Sequence, residues 1–103
     1  MTTFKELHDL DAHHVMQTYG RTQIAFVRGE GTKLWDSEGK EYIDFVGGIA
    51  VTALGHAHPA VADAIAEQAR TLLHVSNLYY NDVQPRLAAR LDALLGGGGR
   101  VFF

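Results

Sequence analysis

The sequence has no cysteine among its 103 residues and only three lysines, Lys5, Lys33 and Lys40. Without thiols, neither disulfide bonds nor thiolate metal sites can form. The six arginines are scattered along the chain, and the formal net charge is −3. Because a phosphate-binding surface needs clustered Lys and Arg, this charge balance argues against a nucleic-acid partner.

The sequence also lacks an apolar run long enough to cross a bilayer. The segment from Thr2 to Asp11 carries charged residues where a secretory signal would have an apolar core. We therefore expect a soluble, cytoplasmic protein. Hydrophobic residues make up 47% of the chain and charged residues 20%. This composition indicates a folded domain, or part of one, and argues against intrinsic disorder.

Local signals predict three helices and a small antiparallel sheet. A capping box from Thr3 to Glu6 precedes an apolar helical stripe that continues to Tyr19 and stops at Gly20. Alternating and β-branched residues predict short strands, with a tight turn at Gly39. The predicted elements are a helix over 3–20, strands over 25–28, 32–35 and 41–46, a helix from Pro59 to an end around residues 74–77, a helix capped by Asp82 and stopped by the glycines at 96–99, and a strand beginning at Arg100.

These elements divide the chain into three predicted parts. Residues 1–20 form an N-terminal helix, residues 21–58 a small antiparallel segment with an apolar wall, and residues 59–103 the later helices and a first strand. The order of helix, glycines and apolar strand is typical of the entry to an α/β layer. We therefore expect an α/β fold and interpret the chain as a severed part of a larger domain.

The stretch from Tyr42 to Pro59 is the most distinctive part of the sequence. It joins a strand, the pair Gly47-Gly48 and an apolar run from Ile49 to Leu54. Adjacent glycines permit unusual backbone angles and close approach of a ligand or another chain. The segment suits the wall of a pocket or a subunit interface, and an ordinary buried connection is the other interpretation. Asp44 needs a partner within its apolar strand, and we interpret it as structural.

Histidines offer a metal-binding alternative. His56, His58 and His74 provide three imidazole nitrogens, but Pro59 begins a helix at once and no acidic residue is evident that would orient the rings. A small histidine-based metal-binding or association module is therefore the alternative of another class. The loop from Ser76 to Asn81 can hydrogen-bond and stack on a flat ligand, or form a capped turn with tyrosine packing.

Two groups of motifs resemble the N-terminal segment of class III pyridoxal-phosphate aminotransferases. The first runs from Gly29 to Phe45 and continues as Gly-Gly-Ile-Ala-Val at 47–51 and Leu-Gly-His-Ala-His-Pro at 54–59. The second is His-Val-Ser-Asn-Leu-Tyr at 74–79. Within this class the motifs look most like the acetylornithine branch, with the succinylornithine, ornithine and 4-aminobutyrate branches as relatives.

The resemblance implies the N-terminal part of a fold-type I enzyme that is a homodimer with active sites at the subunit interface. Such an enzyme transfers the amino group of N-acetylornithine to 2-oxoglutarate in arginine biosynthesis; ornithine, succinylornithine and 4-aminobutyrate are alternative donors. Pyridoxal 5'-phosphate chemistry needs a lysine, a carboxylate at the pyridine nitrogen and a phosphate cup. In the family all three follow the last position of this chain, so we expect this chain alone to bind no cofactor, supply no catalytic residue and be inactive.

The resemblance also assigns roles to four residues. Ile49 would be a wall beside the substrate, and Tyr80 would contact the substrate at an aromatic position of the ornithine branch. Tyr80 departs from the acetylornithine pattern, in which this place is small or polar. Ser76 and Asn77 would reach the cofactor site of the partner subunit. The chain would thus form the substrate mouth and dimer interface, with uncovered apolar surface on residues 49–54 and on the third helix.

Overall fold

The computed structural model describes residues 2–103, which form helices and a small sheet in two units. The first unit ends at Ile65 and the second runs over Ala66–Phe103. No helix in residues 2–103 is both long and apolar enough to pass through a membrane. In chain order the elements are α1 (Phe4–His14), β1 (Phe26–Glu30), β2 (Lys33–Asp36), β3 (Glu41–Ile43), α2 (Gly47–Ala50), α3 (Pro59–Thr71) and α4 (Val83–Leu94).

Helix α1 begins at the predicted capping box. The Thr3 amide donates to the Glu6 carboxylate at 2.8 Å, and the Glu6 amide donates to the Thr3 hydroxyl at 3.3 Å. The helix ends at His14, so the predicted continuation to Tyr19 is wrong. Val15 is extended, with φ −106° and ψ 131°. The Gln17 side-chain amide donates to the carbonyls of Asp11 and Val15, which ends the helix by satisfying groups of its last turn.

The three strands form an antiparallel sheet in the order β1-β2-β3. The β2–β3 turn has the predicted left-handed Gly39, with φ 84°, and the Asp36 carboxylate accepts from the Glu38 and Lys40 amides at 2.9 Å each. Strand β3 ends at Ile43, before the predicted end at residue 46. It ends early because the next residue, Asp44, accepts backbone N–H groups of the following turn.

Helices α3 and α4 confirm the two predicted helices with shifted ends. Helix α3 begins at Pro59 and stops at Thr71, before the end predicted around residues 74–77. Asp82 makes no capping bond, so the predicted cap is wrong; Asn81 instead accepts from the amides of residues 83 and 84 at 3.1 and 2.8 Å. The predicted strand at Arg100 is absent from the described residues, because no neighbouring strand pairs with it there.

The fold combines helices with a small antiparallel sheet, and its apolar residues remain uncovered. No side chain in residues 2–103 is fully buried. Ile49 and Leu95 are each 87% exposed, and Leu94 is 74% exposed. The prediction of uncovered apolar surface on the 49–54 run and on α4 is confirmed. Apolar surface left uncovered in this way is suited to interaction with another molecule or another part of a protein.

Candidate functional site

A loop from Asp44 to His56, called the 44–56 loop, leaves the sheet after β3 and returns to the β1–β2 turn. At its base, Asp44 Oδ2 lies 2.6 Å from His56 Nε2. The His56 backbone also exchanges two hydrogen bonds with Gly31 in that turn, at 2.9 and 2.8 Å. The ends of the loop are therefore held together by a side-chain contact and a backbone pair, as in a compact Ω-loop.

Asp44 has the partner that its position in the sequence requires. Its second oxygen, Oδ1, accepts from the amides of Val46 and Gly47 at 2.9 Å each. The side chain is 8% exposed. The hydrogen bond from the Gly47 amide, followed by those from His56 and Val46, lowers the pKa of the Asp44 carboxyl in spite of its burial. The expectation that no acid orients these histidines was wrong, because the loop folds back across twelve residues to bring Asp44 to His56.

Glycines allow the loop to lie directly against the β1–β2 turn. A Cβ atom added at Gly29 would lie 2.7 Å from the Cβ of His56. A Cβ added at Gly55 would lie 3.0 Å from the Cα of Gly31, and Gly55 has a φ of 88°. Because such distances are shorter than ordinary contact, larger residues at these two positions would push the loop away from the sheet.

The 44–56 loop contains a left-handed turn at α2. Gly47, Gly48, Ile49 and Ala50 have φ values of 58°, 60°, 61° and 66°. Glycine adopts this conformation freely, whereas each of the other two residues pays about 1–2 kcal/mol for it. Strained residues persist where the surrounding structure holds them, and they cluster at functional sites. The turn leaves the Ile49 side chain open to solvent.

In the second unit, the loop between α3 and α4 surrounds a cavity of about 210 Å³. Ser76 and Asn77 both line this cavity, and Ser76 is left-handed with φ 62°. Tyr80 is fully exposed and lies outside the residues that line it. The structure thus brings Ser76 and Asn77 together and leaves Tyr80 apart from them, while Ile49 belongs to the first unit.

The Asp44–His56 contact is the part of this site that sequence reasoning missed. A carboxylate directly after an apolar strand was the available signal, because such a group must find a hydrogen-bonding partner. The choice among six histidines depended on the path of the loop.

None of the three lysines is placed to carry a cofactor aldehyde. Lys5 pairs with Asp9, whose hydrogen bond raises the pKa of the lysine. Lys33 lies 2.9 Å from a carboxylate of β3, and the Lys40 ammonium lies 4.9 Å from the centre of the Tyr42 ring. A Schiff-base lysine lies in a desolvated site, whereas the side chains of Lys5 and Lys33 are 83% and 52% exposed. Residues 2–103 therefore do not by themselves fit a pyridoxal-phosphate site.

The histidine metal site finds no support in the structure. His56 is engaged with Asp44 and with the backbone of Gly31. Across residues 2–103 there is no group of three or more His, Asp or Glu side chains that could hold a metal ion.

Comparison with known proteins gives one consistent family. Residues 15–103 match the family model of class-III aminotransferases. The acetylornithine aminotransferase of Caldanaerobacter subterraneus subsp. tengcongensis is 56% identical over 90 residues, covering 87% of this chain and 23% of that relative.

Solved structures agree with the sequence match. An acetylornithine aminotransferase from Elizabethkingia anophelis has a TM-score of 0.88 at 31% identity, over 93% of this chain and 25% of that one. An ornithine aminotransferase from Toxoplasma gondii has a TM-score of 0.86 at 29% identity, over 93% of this chain and 23% of that one. The chain spans about a quarter of the length of these relatives and corresponds to their N-terminal part. It belongs to the class-III aminotransferases, a pyridoxal-phosphate-dependent family.

Proposed function

We propose that this chain is the N-terminal part of an aminotransferase that moves the amino group of N-acetylornithine to 2-oxoglutarate, in arginine biosynthesis. The single observation that carries this proposal is the 56% identity with a relative named acetylornithine aminotransferase. The products would be the acetylated glutamate semialdehyde and glutamate. The enzyme would be a cytoplasmic homodimer, with this region at its substrate mouth and dimer interface.

Within that enzyme, we assign substrate contacts to Ile49 and Tyr80. Both side chains are open to solvent, at 87% and 103% of their reference exposure. Large apolar and aromatic groups left open in this way are suited to being covered by a ligand or a subunit. Ile49 would be a wall against the aliphatic part of the donor, and the Tyr80 ring would pack on the substrate with its hydroxyl free to hydrogen-bond.

Ser76 and Asn77 are assigned to the cofactor site of the partner subunit. Their shared cavity supports this role because the hydroxyl and the carboxamide are hydrogen-bond donors next to each other. Pyridoxal phosphate, when bound, supplies the electron sink of the amino transfer. The lysines of this chain lie in surface contacts, so we expect residues 1–103 alone to show no transamination.

Ornithine is the second candidate donor, and Tyr80 is the observation that favours it. An aromatic residue at this position resembles the ornithine branch of the family. The two donors differ by an acetyl group on the α-amine, which is not the amine transferred, so a residue that contacts this end would discriminate between them.

A chimeric enzyme tests the proposed function. Residues 15–103 replace the matching segment of the Caldanaerobacter enzyme, and the unaltered enzyme is the reference. With 2-oxoglutarate as acceptor, we expect a higher kcat/KM for N-acetylornithine than for ornithine or 4-aminobutyrate. Preference for ornithine would establish the second candidate. A folded, cofactor-loaded chimera that uses none of these donors would contradict both.

Tyr80→Ala in the chimera tests the assignment of the substrate contact. We expect the ratio of kcat/KM values for N-acetylornithine and ornithine to change about tenfold, which corresponds to about 1.4 kcal/mol of transition-state binding. Tyr79→Ala is the matched control, because Tyr79 is the adjacent tyrosine and is also exposed. The control should change the ratio less than about threefold. An unaltered ratio in Tyr80→Ala would remove this residue from donor selection.

A further inference from the structure

We propose that Asp44 and His56 are positioning residues, whose contact holds the 44–56 loop in the conformation that presents Ile49 to the substrate. The presentation to substrate rests on the proposed function, whereas the hold on the loop rests on geometry alone. Neither side chain is assigned to the reacting atoms.

The Asp44 carboxylate joins the start of the loop to its end. One oxygen accepts from the amides of Val46 and Gly47, which lead into the left-handed turn. The other oxygen contacts the ring of His56, twelve residues further along the chain. A carboxylate shared in this way fixes the entry and the exit of the loop relative to each other.

The turn at α2 is strained at its two residues other than glycine. Ile49 and Ala50 are left-handed, a conformation that a β-branched residue almost never adopts unless it is held. The Gly47 amide is bonded to Asp44, and the Gly47 carbonyl accepts from the Thr52 amide at 2.9 Å. The strained residues therefore lie between two bonded points, and the first of these depends on Asp44.

His56 is itself anchored to the β1–β2 turn. Its backbone exchanges two hydrogen bonds with Gly31. Its side chain packs against Gly29, where an added Cβ would lie only 2.7 Å from the Cβ of His56. The ring is 21% exposed. Because His56 cannot move without breaking these contacts, Asp44 takes its position from a point fixed on the β1–β2 turn.

Amide hydrogen exchange on the full 103-residue chain tests the hold on the loop. In Asp44→Ala, we expect exchange at Gly47, Thr52 and Gly55 to become at least tenfold faster, with the β1–β2 hairpin within threefold of the parent. Asp44→Asn should remain within threefold at all these positions, because its carboxamide oxygen can still accept from the loop amides. Asp63→Ala, at an exposed carboxylate on α3, should change nothing.

Three outcomes would overturn the hold on the loop. The loop amides of the parent chain could exchange without protection, or Asp44→Ala could leave them unchanged. Acceleration of the hairpin amides by the same factor as the loop amides would show that Asp44 supports the unit as a whole and does not position the loop. His56→Ala repeats the test from the other partner, with His14→Ala as its exposed control.

A double-mutant cycle in the chimera tests the presentation of Ile49. We expect Ile49→Ala and Asp44→Ala each to change the donor ratio, and the double variant to change it no more than the larger single effect. Independent, multiplying effects would overturn the link between Asp44 and Ile49. An unchanged donor ratio in Ile49→Ala would contradict the proposed role of Ile49 as a wall beside the substrate. It would also overturn the part of this inference that concerns the substrate. The exchange results would still decide the hold on the loop.

Discussion

The two units hold their irregular segments by different means. In the first unit, the 44–56 loop is closed by polar contacts between residues far apart in the sequence, Asp44 with His56 and Gly31 with His56. In the second unit, the ends of α4 are closed by near neighbours, such as Asn81 with Gln84 and Asp92 with Gly99.

A contact between near neighbours orders little chain, whereas a contact across many residues orders everything between them. The comparison teaches that a single residue in the first unit can control a whole loop. A single residue in the second unit controls one end of a helix.

The largest effect should come from Gly55→Ala, which tests the close packing of the loop on the sheet. The added Cβ would lie 3.0 Å from the Cα of Gly31, and Gly55 itself has a φ of 88°, which strains any residue other than glycine. We expect a loss of about 2–3 kcal/mol in the free energy of unfolding of the first unit. Urea unfolding followed by the fluorescence of Trp35, the single tryptophan, measures it.

Gly20→Ala is the matched control for this substitution. A Cβ at Gly20 would have no atom within 4 Å, and its φ is not in the left-handed range. The control should change the free energy of unfolding by less than about 0.5 kcal/mol. Equal effects at the two glycines would show that the loop does not press on the β1–β2 turn.

An intermediate effect should follow from acid, which acts on the carboxylate that closes the loop. Hydrogen bonds from the Gly47 amide, and from His56, lower the pKa of the Asp44 carboxyl in the folded chain. Its stabilising contribution is therefore present above the unfolded-state pKa of about 3.9 and is lost as the pH falls through the lower folded-state pKa. The urea midpoint of the first unit should fall below about pH 4.

Asp44→Asn identifies the carboxyl responsible for this acid dependence. The carboxamide does not titrate, so the fall in the urea midpoint below pH 4 should be smaller than in the parent chain. If the urea midpoint falls equally steeply with pH in Asp44→Asn and in the parent chain, the acid dependence belongs to other titratable groups of the first unit.

The smallest effect should come from the helix cap in the second unit. Asn81→Ala removes the acceptor of the amides of residues 83 and 84, and we expect a cost of about 1 kcal/mol to α4. Asp82→Ala should cost less than about 0.5 kcal/mol, because Asp82 makes no capping bond. Circular dichroism during urea unfolding measures both. A larger loss in Asp82→Ala would reverse the assignment of the cap.

Signals that act over a few residues were predicted well. The capping box at Thr3, the turn at Gly39 and the start of α3 at Pro59 are each set by hydrogen bonds or backbone preferences within four residues. The cap of α4 was predicted at Asp82 because Asp and Asn are equally good capping residues. The structure chooses Asn81 because Asp82 already has right-handed helical angles, with φ −88° and ψ −20°.

Signals that depend on the path of the chain were not predictable in the same way. The stripe through Met16 and Tyr19 has helical spacing, yet the helix ends at His14 and Val15 is extended. The sequence could not show that Asp44 pairs with His56 and not with another histidine, since sequence spacing does not indicate where a loop returns. The roles of Ile49, Ser76, Asn77 and Tyr80 remain proposals that the variants above address.

The sequence by itself determined the family, the order of helices and strands and the places where the backbone must turn, because these depend on residue types at short spacing. Only the tertiary structure decided that the Asp44 carboxylate contacts the His56 imidazole. It also decided that Ile49 lies on a strained turn between two hydrogen-bonded residues. The physical reason is that closing a loop whose ends lie twelve positions apart depends on the three-dimensional path of its backbone, which no local preference specifies.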